Sequence, residues 1–383
     1  MKNRKQQHNQ RRITNRVLNC LLLLLFSVSC FTVSCGPEED ELPSTLSNDI
    51  SNANYVDILE SRLATLPVDA QVAIALVHGG GTEYLGVINE NDVLHSSDNA
   101  NSVFEIGSIT KVFTSICLSK LAQSGEIRMN ETLAEQFDYP INPAARGITM
   151  EQLANHTSGL PRLPSNVDEV TDFNIEDPYA TYTNENLRSY LQNHLVLDAP
   201  VGTEFQYSNL GMGLLGYVLA QKQETSFEEL VQKTILQPLN MISTTTLLED
   251  VEPARLVEPR DINGEIVSHW NFAEPMTAAG SLKSSVVDLV KFIRKNFEDD
   301  PVYTLPQTKT SAADDGADVG LGWLILEDGE FTVYLHNGGT GGFSSIMMLD
   351  KNKEIGVVVL SNVEDYDDSI TPLCNDLFLE ISN

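Results

Sequence analysis

The sequence predicts a mixed α/β (α+β) fold: one antiparallel sheet built from both ends of the chain, flanked by helices, plus a mostly helical second lobe. Three observations carry this prediction. Strand-like apolar runs lie early, at 71–77, and late, at 343–349 and 355–361. The Asp328-Gly329 pair between the runs 320–326 and 331–336 is a hairpin signal. From Pro140 to about Arg260 the apolar spacing is mostly helical, which sets the second lobe at about 140–265.

Taken in order, the chain begins with a basic stretch to Arg16 and an apolar run from Val17 to Phe26 that ends in small residues before Cys30 and Cys35. This is an export-signal pattern, and a cysteine followed by Gly36-Pro37-Glu38-Glu39 resembles a bacterial lipoprotein signal over residues 1–35. Cys35 is the preferred lipidation site because the acidic segment begins right after it. Cys30 is the rival, and an uncleaved membrane anchor or plain secretion are the alternatives. Each reading places the folded part outside the cytoplasm, and the preferred one makes it a membrane-anchored lipoprotein of the cell envelope. Residues 36–53, acidic and without a basic side chain, read as a flexible tether to a globular part at 54–383.

That part opens with a helix from Tyr55 to Leu66 and the strand 71–77, with Thr82 to Val87 as its hairpin partner across Gly79-Gly80-Gly81. A strand-to-helix junction at Phe104–Lys111 leads into a helix that stops near Gly125. Short helices follow at Thr149–Asn155, Asn186–His194 and Leu210–Gln223, and Ser226-Phe227-Glu228-Glu229 has the form of a capping box. Asn263-Gly264 marks a turn, Ser285-x-x-Asp288 caps a helix, and 300–318 reads as a polar loop. The hairpin about Asp328-Gly329, two further strands and a helix from Thr371 to Ile381 close the chain.

Composition narrows the function. The net charge is −30, although six of the 24 basic residues stand in the first sixteen. Such a surface repels nucleic acid and anionic headgroups, which excludes both as partners of the folded part. Of five cysteines only Cys117 and Cys374 lie beyond the leader, and Cys117 falls on an apolar helix face as a small core residue. No Cys/His cluster has zinc spacing, so no metal is expected, and the chemistry below requires no organic cofactor.

That chemistry centres on Ser108 and Lys111. Three residues apart at a helix start, they share one face, so a buried amine can take the hydroxyl's proton. Gly107 permits the turn before them. Tyr207-Ser208-Asn209 opens another helix: Tyr207 is a candidate acid or base, and Asn209 offers both a donor and an acceptor. His336-Asn337-Gly338-Gly339-Thr340-Gly341-Gly342 ends a strand, where glycines let backbone approach a ligand and aim N–H groups at an oxyanion.

Ser-x-x-Lys, Tyr-x-Asn and a strand-end His-x-Gly, in this order, resemble the penicillin-recognising serine hydrolases, chiefly class C β-lactamases and the D-alanyl-D-alanine carboxypeptidases and esterases related to them. His156-Thr157-Ser158-Gly159-Leu160 and Ala279-Gly280-Ser281-Leu282 also resemble stretches of that family, and His156 is read as structural. The resemblance, over about 60–380, implies a β-lactamase/transpeptidase-like fold and an acyl-enzyme on Ser108. It implies that Lys111 and Tyr207 move the proton and that Asn209 contacts Lys111 and the substrate amide. It further implies an oxyanion hole from the N–H groups of Ser108 and Gly339, with His336 and Gly338 at the third-motif substrate position. His336 departs from the lysine usual there, and its charged form is the expected partner of a substrate carboxylate. The expected function is hydrolysis of amide or β-lactam carbonyls in small-molecule or peptidoglycan-type peptide substrates. The alternatives are an esterase on small esters and a penicillin-binding sensor that is acylated without turnover.

Overall fold

In the computed structural model of the chain, residues 42–313, 316–364 and 366–383 are described. The expected signal, Cys35 and Cys30 lie outside them. Strand β1 (Gln71–His78) continues into β2 (Gly81–Glu90) and β3 (Val93–Ser96). The chain then makes the short β4 (Phe104–Glu105), which pairs with β5 (Lys283–Ser284) apart from the main sheet. From the other end come β6 (Ser311–Ala312), β7 (Asp318–Val319), β8 (Leu324–Asp328), β9 (Phe331–Thr340), β10 (Phe343–Asp350) and β11 (Ile355–Ser361). Among the described residues the main sheet has nine strands in the order β3-β2-β1-β11-β10-β9-β8-β7-β6, antiparallel throughout, so the early and late strands meet at the β1–β11 pair.

The apolar runs have no polar alternation because both faces of the central strands are covered. Successive residues of β1 point to opposite sides. Val72, Ile74 and Leu76 join one core with α1 (Ala53–Arg62) and the C-terminal helix at Asp367–Ile381. Ala73, Ala75 and Val77 join the other core with α2 (Thr110–Gln123), α3 (Asn209–Lys222) and α4 (Val286–Phe297). In α2, residues on every side are buried, and Phe113 stacks on Phe292 of α4 with ring centroids 4.0 Å apart. Among the described residues no helix is long and apolar enough to cross a membrane.

Two expectations are corrected. The expected flexible tether does not extend to residue 53: Ser44 bridges to Leu94, and Leu46 in a 3-10 turn is fully buried against the sheet. Leu42 and Ile50 pack against the same core, and the Thr45 N–H donates to the Leu94 carbonyl at 2.9 Å. The polar loop at 300–318 also holds structure, because Tyr303, Ala313 and Ala317 are buried. Pro301–Thr304 is a helical turn capped by Asp300, and β6 and β7 extend the sheet.

Candidate active site

The β4–β5 pair, in register Phe104↔Ser284 and Glu105↔Lys283, delivers the chain into a 3-10 turn at Gly107–Ile109, and α2 starts at Thr110. Gly107 has φ +47, and a Cβ there would stand 2.7 Å from the Gly339 nitrogen. Glycine is needed at 107 on both counts. Ser108 is thus half-buried at the edge of β9, with Lys111 one helical turn on and fully buried.

The structure brings the first two motifs into contact. Lys111 Nζ lies 2.8 Å from Ser108 Oγ and donates to the Ala279 carbonyl at 2.7 Å. The Tyr207 hydroxyl lies 2.7 Å from the same Ser108 Oγ. Lys111 Nζ sits 4.8 Å from the centre of the Tyr207 ring, so the three groups form one cluster. Complete burial, helped by the Arg162 charge, holds the lysine pKa well below its ordinary value. Burial pushes the Tyr207 phenol up to about 12. The cluster therefore pairs a phenol that stays protonated at neutral pH with an amine that burial makes easier to deprotonate.

The sequence at 207–209 folds as a helix start. Ser208 is the N-cap of α3, its Oγ accepting from Gly211 N at 2.8 Å, which turns Tyr207 toward the sheet. Behind it, His156 accepts the Ser208 N–H on Nδ1 at 3.2 Å, and its ring packs 4.6 Å from that of Tyr207. The histidine is buried, its pKa is lowered by that burial, and it braces the turn. Asn209 is placed otherwise than expected. Its Nδ2 donates to Tyr179 Oη at 2.9 Å, its buried Oδ1 has no partner among the described residues, and Lys111 takes the Ala279 carbonyl in its stead.

Strand β9 runs unbroken through the third motif, so His336 to Gly339 are strand residues beside the Ser108 turn rather than a loop after it. A Cβ on Gly338 would strike the Ile106 carbonyl oxygen and stand 2.7 Å from Ser108 N. Gly339 is exposed, and its backbone lies against Gly107. These two glycines let the strand and the Ser108 turn share one edge. His336 is 3% exposed, its ring 6.4 Å from that of Tyr207, with Nδ1 bonded to the Asn337 carbonyl at 2.5 Å. Burial, and then the nearby Lys111, push its pKa down to about 3. The expectation that His336 meets a carboxylate as a cation is therefore overturned: a desolvated imidazole beside a lysine stays neutral.

Three groups at the site were not picked out from the sequence. The Ala279 carbonyl holds Lys111 from 168 positions away, and only the Ala279–Leu282 resemblance drew attention to that stretch. Arg162, exposed, stands with Cζ 5.3 Å from the Tyr207 ring centre. Tyr179, Trp270 and Phe272 form an aromatic wall next to Asn209, with Tyr179 stacked on Phe272 at 4.8 Å and Trp270 5.4 Å from Tyr179. The buried Glu105 carboxylate anchors that wall by accepting the Trp270 backbone N–H at 3.1 Å and meeting His269 Nδ1 at 2.8 Å. Among the described residues no three His, Cys, Asp or Glu side chains gather as a metal site. Cys117 and Cys374 are buried and free, and burial pushes the Cys117 thiol up to about 12.

A family model described as Beta-lactamase matches residues 67–371. "Protein flp" of Staphylococcus aureus (strain COL) is 27% identical over 272 residues, covering 68% of this chain and 53% of that protein. The chain thus spans about half the length of the flp proteins it matches. A beta-lactamase of Pseudomonas fluorescens is 25% identical over 337 residues, covering 76% of this chain and 88% of that protein. The crystal structure of a class C beta lactamase from Rhodobacter sphaeroides has the same fold, with a TM-score of 0.72 at 18% identity, covering 87% of this chain and 100% of that one.

Proposed function

The chain belongs to the beta-lactamase family, and on that premise we propose a serine hydrolase that forms an acyl-enzyme on Ser108 with β-lactam or D-alanyl-type amide substrates. Small esters are the second substrate class. The observation that carries this reading is the placement of Ser108 Oγ within hydrogen-bond reach of both a buried amine, whose pKa that burial lowers, and a protonated phenol.

In this reading Lys111 takes the Ser108 proton as Oγ attacks the carbonyl carbon. The N–H groups of Ser108 and Gly339 receive the developing oxyanion, each contributing roughly 3 kcal/mol in the transition state. The proton passes by way of Tyr207 to the leaving nitrogen or oxygen, the carbonyl reforms, and the substrate remains as an ester on Ser108. Water then attacks that ester with the same base, and Ser108 leaves with a proton. Asn209 meets the substrate amide, for which its unpartnered Oδ1 is an acceptor. His336 and Gly338 shape the strand edge along which the substrate lies.

Intact-mass analysis of the full chain tests the reading. It is mixed in turn with a β-lactam, a D-Ala-D-Ala peptide and a p-nitrophenyl ester. An acyl mass that appears and decays identifies turnover and ranks the classes. A β-lactam adduct that persists identifies a penicillin-binding sensor, and no adduct with any of the three overturns the reading.

We further propose that the chain is a lipoprotein of the cell envelope held by a lipid on Cys35. The support is the leader pattern alone. Cys35→Ala should move the protein out of the membrane fraction; retention with Cys30 intact would shift the anchor to Cys30 or to an uncleaved leader.

A further inference from the structure

The chain from Pro259 to Val267 folds back on itself around Asn263-Gly264 and leaves two large aliphatic side chains in water. Gly264, at φ +85, sits so close to Pro67 that a Cβ there would stand 2.9 Å from the proline Cβ, which sets the tip against the residue before Val68. The polar groups of the tip are satisfied locally: the Asp261 carboxylate accepts the N–H groups of Asn263 and Glu265 at 2.9 and 2.8 Å, and Asp69 lies 3.9 Å from the Arg260 guanidinium. Val68, Ile262 and Ile266 remain 41%, 52% and 60% exposed at this one corner. A lone exposed aliphatic residue needs no explanation, but three at one corner mark a surface that meets another apolar phase. The N-terminal segment reaches the same end of the sheet. Asp69 N donates to the Asn89 carbonyl, Asn89 pairs with Leu94, and Leu94 N donates to the Pro43 carbonyl. These three strand spacings put Pro43 about 15 Å from the corner.

We propose that Val68, Ile262 and Ile266 form a membrane-docking face that lies on the bilayer holding the Cys35 lipid. The inference rests on the lipoprotein reading above. Leu42 follows Cys35 by seven residues, so the covalent chain holds it within about 25 Å of a lipid on that cysteine. A tether this short turns its own end of the sheet to the bilayer, where the three aliphatic side chains leave water for the headgroup boundary. Asp69, Asp261 and Glu265 stand around the face, so it suits a zwitterionic surface such as phosphatidylethanolamine and not an anionic one. Docking also brings the cleft to the membrane. Arg260 N donates to the Gly342 carbonyl at 3.3 Å, three residues past Gly339, so the sheet rim stands beside the bilayer and meets acyl substrates that lie in its surface.

The lipidated protein, in vesicles of phosphatidylcholine and phosphatidylethanolamine with part of the lipid carrying a nitroxide, tests the face. Flotation of wild type with the vesicles comes first. A protein that stays behind overturns the lipoprotein reading, and the inference falls with it. An environment-sensitive nitrobenzoxadiazole label is then placed on Ile266→Cys and on Val196→Cys, an exposed position in the helical lobe; Cys117 and Cys374 are buried and escape the reagent. The label on Ile266→Cys should shift to the blue and lose about half or more of its emission to the nitroxide, while the label on Val196→Cys keeps nearly all of its own. Adding Val68→Asp and Ile262→Asp should return the Ile266→Cys label to the behaviour of the Val196→Cys label, with the protein still afloat on its lipid. Quenching at both sites alike, or at neither in a protein that floats, would overturn the proposal. So would a blue shift at Ile266→Cys that needs no vesicle and grows with protein concentration, because a second copy of the chain would then cover the face.

Discussion

The two rims of the cleft are made of different material. The sheet rim, β9 with the Gly107–Ser108 turn, presents backbone: two glycines that permit close approach, N–H groups, and a histidine without charge. The lobe rim, the 161–162 segment bonded to the Tyr207–Asn209 turn, presents side chains that carry protons and charge. Lys111 reaches between them. Lys111 and His336 make the contrast sharp, because burial lowers the pKa of both. Only the lysine nitrogen lies within hydrogen-bond distance of Ser108 Oγ. Burial sets the protonation state; geometry decides whether that state is put to use.

Removing the proton-handling groups should have the largest effect. Lys111→Met and Tyr207→Phe should each slow acylation of Ser108 by about 10²- to 10⁴-fold, as read by stopped-flow labelling with a fluorescent β-lactam or a fluorophosphonate. A loss under tenfold in either variant would place that residue outside the chemistry. Next comes the backbone of the sheet rim. Gly338→Ala puts a methyl group against the Ile106 carbonyl and Ser108 N, so β9 must retreat from the turn. Acylation should fall about 10²- to 10³-fold, the loss associated with one oxyanion donor, while far-UV circular dichroism stays unchanged. Full activity would remove the sheet rim from the site.

The third change tests the neutral histidine through stability. His336→Lys buries an ammonium group close to Lys111, and it should lower unfolding stability by about 3 kcal/mol or more in a denaturant melt. A stable variant would show that this position tolerates charge. The smallest effect is on pH dependence. An unfolded histidine titrates near 6.5 and His336 near 3, so below pH 6.5 the unfolded chain binds a proton that the folded chain refuses. The stability this contributes is complete above about pH 6.5 and is lost as pH falls toward 3. His336→Gln should therefore flatten part of the acid limb of Tm against pH, and an unchanged limb would contradict the shift.

Much of the site was legible in the sequence because its parts are local. Ser108 and Lys111 are set by helical spacing, Tyr207 and Asn209 by a capped helix start, and Gly338 and Gly339 by their place in a strand. The sheet was legible because burial on both faces removes polar alternation from β1, β10 and β11. What escaped depends on tertiary contact. Nothing near Ala279 marks its carbonyl as the lysine's acceptor, and nothing near Arg162 says that it will stand over Tyr207. The charge of His336 could not be read from its type, since the same imidazole in water would titrate near neutrality. The docked segment at 44–50 was hidden for a similar reason: its polar composition outweighs Leu46, which the sheet buries, and Ile50, which packs beside it.

The central claim is that Ser108, and no other side chain, attacks the substrate carbonyl. Peptide mapping after brief exposure of wild type and Ser108→Ala to a β-lactam and to a p-nitrophenyl ester tests it most directly. The account predicts one acyl adduct in wild type, on the peptide that spans Ser108, and none in the variant, with both proteins giving the same melting curve. An adduct on another peptide, or labelling of the Ser108→Ala protein at the wild-type rate, would contradict it.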